Sequence, residues 1–118
     1  HPSEKKLYAN LDKTQLIRIV TNLLKNAIQA TENIENPIID VTVLSKEKNL
    51  IISVVDNGKG ISDDLKDLIF EPKFTTKTSG MGLGLAITKN IIEAYNGSIS
   101  FTSKEGKGTV FTVVLPKE

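Results

Sequence analysis

Three glycines at alternate positions, Gly80, Gly82 and Gly84, stand directly before an apolar segment that favours a helix. Glycine lets the backbone bend through positive φ and approach a ligand closely, and the start of a helix offers unpaired N–H groups to an anion. The pattern is typical of a phosphate-binding turn, although it also occurs where the chain only makes a tight turn into a helix. No strand precedes the glycines and no Gly-Lys-Ser/Thr follows, so neither a dinucleotide fingerprint nor a P-loop fits.

Two other places in the chain could bind a ligand. Asn22 and Asn26 are four residues apart on a predicted helix, so their amides lie one turn from each other. Such a face is usually only solvated, but asparagine is a poor helix former and lysine or glutamate would serve solubility better. Asp56 stands where a predicted strand ends in Asp-Asn-Gly, and its carboxylate could bind a ligand or simply form a turn.

Length and composition indicate one globular domain over residues 1–118, with 1–6 as a linker or an artificial edge of the chain. The net charge of +1 gives no reason to propose a nucleic-acid or membrane surface. The chain contains no cysteine, which excludes disulfides and thiolate metal sites and is compatible with a reducing cytosol. No apolar run approaches the roughly 18 residues of a membrane span, so we expect a soluble domain.

The elements that must position these residues are two long helices, a short helix and about five strands. The first helix begins at Asp12, which forms a capping box with Gln15, and the second follows the glycines and ends at Asn96-Gly97. Ser62 begins the short helix. Strands are predicted at 7–11, 38–44, 50–55, 99–103 and 109–115. This order predicts an α+β fold, a two-layer α/β sandwich in which about three helices cover one face of a mixed sheet.

Apolar spacing predicts which face of each long helix is buried. In the first helix the asparagines fall on the opposite, polar side. The predicted stripes are Leu16, Ile19, Val20, Leu23, Leu24, Ala27 and Ile28 in the first helix, and Leu83, Ile87, Ile91 and Ala94 in the second.

Four segments in one order, 22–27, 56–61, 70–77 and 80–85, resemble the ATP-binding catalytic domain of sensor histidine kinases. These kinases belong to the GHKL superfamily with the Bergerat fold, which also holds gyrase, mismatch-repair and heat-shock chaperone ATPases. The resemblance covers residues 8 to 116, and its Thr-Thr-Lys segment and asparagine helix are most similar to the nitrogen-regulation type of kinase.

The resemblance implies roles for the matching residues. Asp56 would accept a hydrogen bond from the exocyclic amine of adenine and so select ATP over GTP. Gly58 and Gly60 would let the loop pass close to the base. Asn26 would give its amide oxygen to Mg²⁺, and Asn22 would sit near the phosphates or a metal-bound water.

Other implied contacts lie around the phosphates. Lys77 would meet the terminal phosphate, with the hydroxyls of Thr75 and Thr76 beside it, and Gln29 would supply a further polar contact. Met81 stands where many relatives carry a small hydroxyl residue, so only backbone contact is expected there, while Lys73 replaces an aromatic residue common in the nitrogen type. The other positions assigned to the nucleotide site are Ile61, Phe70, Gly80, Gly82, Leu83, Gly84 and Leu85, with Phe70 and Phe74 expected mainly to anchor the loop.

The implied reaction is phosphoryl transfer with little hydrolysis of free ATP. Hydrolysing relatives carry a glutamate base four residues before the metal-binding asparagine, where this chain has Asn22, and an amide cannot accept that proton. The acceptor would be a histidine on a separate helical dimerisation and phosphoacceptor domain, which passes the phosphate to a response regulator. The only histidine here, His1, is expected to be a terminal remnant. The domain is expected to be monomeric and cytoplasmic.

Three alternatives stay open. A serine kinase of the anti-sigma-factor type shares the fold and the motifs. A hydrolytic ATPase module is disfavoured by Asn22. A non-catalytic binding domain with a vestigial pocket is disfavoured because Asn26, Asp56 and the glycines are all present.

Overall fold

The computed structural model describes residues 13–71 and 83–116. Within those ranges no helix is long and apolar enough to cross a membrane. The predicted strand at 7–11 lies outside the described residues. The elements are α1 (Lys13–Ala30), β1 (Ile39–Lys46), β2 (Asn49–Asp56), α2 (Asp63–Lys66), α3 (Leu83–Ala94), β3 (Ser98–Lys104) and β4 (Gly108–Pro116).

The four described strands form one sheet in the order β1-β2-β4-β3, and every pairing is antiparallel. Two hairpins, β1–β2 and β3–β4, meet through β2 and β4, so the last strand of the chain lies inside the sheet. The predicted α+β class is confirmed. Four of the about five predicted strands lie in the described residues, and the sheet that they form is antiparallel rather than mixed, because both hairpins and the pairing that joins them run antiparallel.

One face of the sheet carries the core. Alternate residues of β2 and β4 are buried, and Ile52 faces Val113 in register, each with no exposed surface. On the other face polar residues stand side by side, as Ser53 does beside Thr112. Leu23 of α1 is also fully buried in this core. Burying a side chain of this size contributes about 1.5–3 kcal/mol, so the helix layer and the sheet stabilise each other.

The buried face of α1 includes Asn26, which corrects the prediction that both asparagines lie on the polar side. Asn26 follows Ile19 by seven residues, which is about two helical turns, so the two share a face. Ile28, predicted to be in the apolar stripe, is 56% exposed. Ile19, Leu23 and Ala27 of the predicted stripe are buried as expected, so the buried face is displaced towards Asn26 and away from Ile28.

The predicted stripe of α3 needs the same correction. The buried residues there include Leu85, Thr88 and Ile92, at spacings of three and four, whereas Ile87 is exposed. Thr88 is polar and was left out of the stripe, although its side chain is fully buried.

The predicted end of α3 at Asn96-Gly97 is confirmed. Asn96 has a φ of 63°, its N–H donates to the carbonyl of Glu93 at 3.0 Å, and the Gly97 N–H donates to the carbonyl of Ile92 at 2.9 Å. This is a Schellman motif with asparagine in the left-handed position. Gly97 is required because a Cβ there would lie 2.5 Å from the carbonyl oxygen of Val114 in β4.

Candidate functional site

A row of residues along α1, Asn22, Asn26 and Ala30, organises the candidate site. Each is four residues after the one before, so neighbours in the row are one turn apart on the same side of the helix. Asn22 contacts α3, and Ala30 contacts the loop that follows β2. The row therefore connects the two parts of the chain that the sequence predicted to bind a nucleotide.

Asn22 is joined to α3 by a hydrogen bond. Its Nδ2 donates to the hydroxyl Oγ1 of Thr88 at 3.0 Å. The amide is planar, with its nitrogen and oxygen on opposite edges, so the carbonyl oxygen of Asn22 points away from Thr88. Thr88 lies in the second turn of α3, and the predicted nucleotide-site residues Leu83 and Gly84 form the first turn of that helix.

Asn26 is 7% exposed, and its buried Nδ2 has no hydrogen-bond partner among the described residues. A buried polar group without a partner costs about 1–3 kcal/mol, so proteins keep few of them. A half turn of the side-chain amide exchanges its nitrogen and oxygen, so either a donor or an acceptor can occupy this place. The position suits a residue whose partner is a bound ligand, and the amide oxygen of Asn26 is a ligand of the oxygen type that Mg²⁺ prefers.

The loop after β2 packs on the end of α1. The Lys59 N–H donates to the carbonyl of Ala30 at 3.0 Å, and a Cβ at Gly58 would lie 2.4 Å from that same oxygen. Gly60 has a φ of +74°, and a Cβ there would lie 2.3 Å from the carbonyl oxygen of Lys104. Both glycines were predicted to give room to a base. Contacts within the protein require them already, because the loop is held between α1 and the β3–β4 hairpin.

Asp56 ends β2 and is 7% exposed. Its Oδ1 accepts a hydrogen bond from the Gly58 N–H at 2.8 Å, and the backbone of Thr109 gives another. Burial raises the pKa of Asp56 above the ordinary 3.8, and these two hydrogen bonds offset only part of that effect. The result is a fixed, poorly solvated carboxylate, which is suited to accept a hydrogen bond from an amine.

Sequence reasoning missed the side chains that hold this loop on the sheet. The Ser103 hydroxyl accepts from the Ile61 N–H at 2.8 Å, donates to the carbonyl of Gly108 at 3.0 Å, and lies 2.8 Å from the hydroxyl of Thr109. Lys66 donates to the Ser103 carbonyl at 2.8 Å. Ser103 and Thr109 are paired in register on the face of the sheet that carries the core. Polar residues at inward positions of predicted strands are the signal that could have found them.

The structure also shows where the remaining described residues of the predicted site lie. The side chains of Ile61 and Leu85 are buried in the core, at 3% and 0% exposed. Gln29 is exposed on α1. Phe70 packs edge-on against Phe101, with ring centres 5.9 Å apart.

Six assigned residues lie outside the part of the chain that the structure describes. They are Thr75, Thr76, Lys77, Gly80, Met81 and Gly82.

Residues 11–118 match the family described as histidine kinase-, DNA gyrase B-, and HSP90-like ATPase. The sensor histidine kinase ZraS of Escherichia coli strain K12 is 47% identical over 105 residues, which are 89% of this chain and 22% of ZraS. Sporulation kinase A of Bacillus subtilis strain 168 is 38% identical over 112 residues, 95% of this chain and 18% of that kinase. The chain therefore spans a minor part of the length of these relatives.

Solved structures agree with the sequence comparison. The nucleotide-free catalytic domain of histidine kinase ThkA superimposes with a TM-score of 0.77 at 41% identity, over 90% of this chain and 68% of that one. The mycobacterial sensor histidine kinase MprB gives 0.74 at 28% identity, over 89% and 72%. The chain thus belongs to the family of histidine kinase-, DNA gyrase B- and HSP90-like ATPases.

Proposed function

We propose that this domain binds Mg·ATP beside the row on α1 and donates the γ-phosphoryl group to a histidine on a separate helical dimerisation and phosphoacceptor domain. From there the phosphate would pass to a response regulator in two-component signalling. The family supports nucleotide binding, and the names of ZraS and ThkA support the kinase. The observation that carries the proposal is the buried amide nitrogen of Asn26, which has no partner among the described residues. Asn26 lies one turn from Asn22 and one turn from Ala30, which accepts a hydrogen bond from the loop that follows Asp56.

Asp56 would recognise the base. When ionised, its carboxylate can only accept hydrogen bonds, which suits the exocyclic amine of adenine and repels the carbonyl that guanine has in its place. The backbone hydrogen bond from Gly58 keeps the carboxylate in one orientation. Base specificity would therefore depend on a side chain whose position is set before the ligand arrives.

Asn26 and Asn22 would work at the phosphates. Asn26 would hold Mg²⁺ through its amide oxygen, and the ion would neutralise charge on the phosphates. Asn22 has no basic group at neutral pH, so it would not activate water. This favours transfer to a protein acceptor over hydrolysis. Lys77, Thr75 and Thr76 stay predicted phosphate contacts.

A second candidate is ATP hydrolysis, because the family description also includes gyrase- and HSP90-like ATPases. Asn22 argues against it. The serine kinase alternative differs in its acceptor, and the nitrogen-regulation subtype stays a prediction.

Since ATP is a cytoplasmic nucleotide, the proposal places this domain in the cytoplasm, and we expect the isolated chain to be a monomer.

Titration of the chain with a non-hydrolysable ATP analogue, with and without Mg²⁺, tests the site. We expect Asp56→Asn to weaken binding about tenfold in either condition, because a charge-assisted hydrogen bond is replaced by a neutral one. Asn26→Ala should remove mainly the magnesium-dependent part of the affinity.

Exposed residues of the same types serve as matched controls. Asp64→Asn in α2 and Asn90→Ala in α3 change exposed side chains and should bind as the parent chain does. Equal binding by the parent chain, Asp56→Asn and Asn26→Ala would refute the site. Rapid turnover of free ATP by the parent chain would refute the preference for transfer.

A further inference from the structure

Thr88 is a buried polar residue for which the proposed function has no role so far. It has no exposed surface. Asp56 and Asn26, two other buried polar residues, belong to the proposed site, and Thr31 bonds the carbonyls of Ala27 and Ile28 at the end of α1. Thr88 instead faces across to α1, where its hydroxyl accepts the hydrogen bond from Asn22.

The chemistry of the pair makes Thr88 a rigid partner. Threonine is branched at Cβ, so its χ1 is restricted in a helix and its hydroxyl has few positions. The terminal torsion of asparagine is broad, so an asparagine amide without a partner samples many orientations. A bond to a fixed hydroxyl removes that freedom, and the edge of the amide that faces Thr88 is the one that carries the nitrogen.

We propose that Thr88 is a positioning residue that turns the amide of Asn22 so that its oxygen faces the Mg·ATP phosphates. This inference rests on the proposed function. The amide nitrogen of Asn22 donates to Thr88 at 3.0 Å. The amide oxygen is on the opposite edge, where it can face a ligand bound along the row, one turn from Asn26. An oxygen there suits a magnesium ion or its bound water, so the effect of Thr88 should depend on the metal.

The experiment compares Thr88→Val with Thr88→Ser in the full 118-residue chain. Valine keeps the shape of threonine and removes the hydroxyl, whereas serine keeps the hydroxyl and removes the methyl group. Each variant is titrated with a non-hydrolysable ATP analogue with and without Mg²⁺, and its unfolding temperature is measured. Asn22→Ala and the Asn22→Ala/Thr88→Val double variant complete a double-mutant cycle.

We expect Thr88→Val to weaken magnesium-dependent binding about two- to tenfold, the range for one lost hydrogen bond. Binding without Mg²⁺ should change little, Thr88→Ser should restore most of the affinity, and the double variant should bind no more weakly than Asn22→Ala. This pattern would not arise from a packing role, which the missing methyl group of serine would disturb.

Three results would overturn the inference. Thr88→Val could bind as the parent chain does, or the two Thr88 variants could weaken binding equally with and without Mg²⁺, or the Asn22 and Thr88 effects could simply add. Each would leave the proposed function intact, because the parent chain would still bind Mg·ATP. A parent chain that binds no analogue would refute the proposed function, and the inference with it.

Discussion

At the scale of single residues, Asp56 shows a conflict between binding and stability. Burial raises its pKa, so the ionised form is less favourable in the folded chain than in the unfolded one. The proposed recognition of adenine uses that same ionised form. We infer that the fold keeps a carboxylate in an unfavourable place because a ligand uses it, as many active sites do.

The free energy of unfolding should therefore depend on pH through the carboxyl group of Asp56. A carboxyl group whose folded pKa is raised makes its most favourable contribution at a pH below its unfolded value. That contribution falls as pH rises through the folded pKa, which lies above 3.8. We expect Asp56→Asn to be as stable as the parent chain or more stable at pH 7, and to lose this relative advantage as the pH falls towards 4.

Urea unfolding of both chains between pH 4 and pH 7 measures this difference, and the comparison cancels the other carboxylates. Analogue binding by the parent chain should change in the opposite sense and strengthen as pH rises through the same range. A variant that is less stable than the parent by more than about 1 kcal/mol at pH 7 would show that the two backbone hydrogen bonds outweigh burial.

At the scale of elements, the contact between α1 and the loop after β2 sets the position of Asp56. Gly58 allows that contact, since a Cβ would meet the carbonyl of Ala30. We expect Gly58→Ala to destabilise the fold by about 1–3 kcal/mol, the usual cost of overpacking. It should also weaken binding of the ATP analogue, because the loop beside Asp56 must shift.

Gly97→Ala is the matched control for this change. A Cβ at Gly97 would lie 2.5 Å from the carbonyl oxygen of Val114, whereas Asp56 pairs with Thr109 at the other end of β4. Its variant should lose about 1–3 kcal/mol of stability through overpacking and bind the analogue as the parent chain does. Thermal unfolding and titration of both variants separate the two effects. Unchanged affinity in Gly58→Ala would argue that the loop is not set by α1.

The long helices and the strands 38–44, 50–55, 99–103 and 109–115 could be predicted from the sequence, because periodicity and turn residues are local signals. Which residues of each helix face the core was harder to predict. Asn26 and Thr88 are polar and buried, so counting apolar side chains left both of them out of the predicted core-facing stripes. The requirement for Gly58 was also invisible, since its neighbour Ala30 is brought there only by the tertiary fold. Local patterns indicate candidate site residues, and packing decides what each one contacts.

At the scale of the whole molecule, the described residues supply the proposed nucleotide site and include no histidine that could accept the phosphate. Phosphoryl transfer depends mainly on positioning and charge neutralisation, so a missing acceptor leaves the reaction incomplete. We expect the chain alone to label nothing with the γ-phosphate of ATP, and to label a helical histidine domain of its own kinase when that domain is added.

The stability of the product identifies the acceptor. Phosphohistidine is lost in acid and survives in alkali, whereas phosphoserine survives in acid. Labelled acceptor that loses its phosphate in acid would support the histidine kinase, and acid-stable label would favour the serine kinase. An acceptor domain whose histidine is replaced should stay unlabelled, and labelling of that variant would contradict the proposal.

The row on α1 has a consequence for how the chain tolerates changes of length. One residue inserted between Asn22 and Asn26 would turn one half of the helix against the other by about 100°. Asn22 would then leave Thr88, or Ala30 would leave the Lys59 loop, although no residue of the row had been replaced. The turn between β1 and β2 holds neither contact, so an added residue there would leave the spacing along the row unchanged. Helical register along α1 is thus as much a part of the site as the identity of its asparagines.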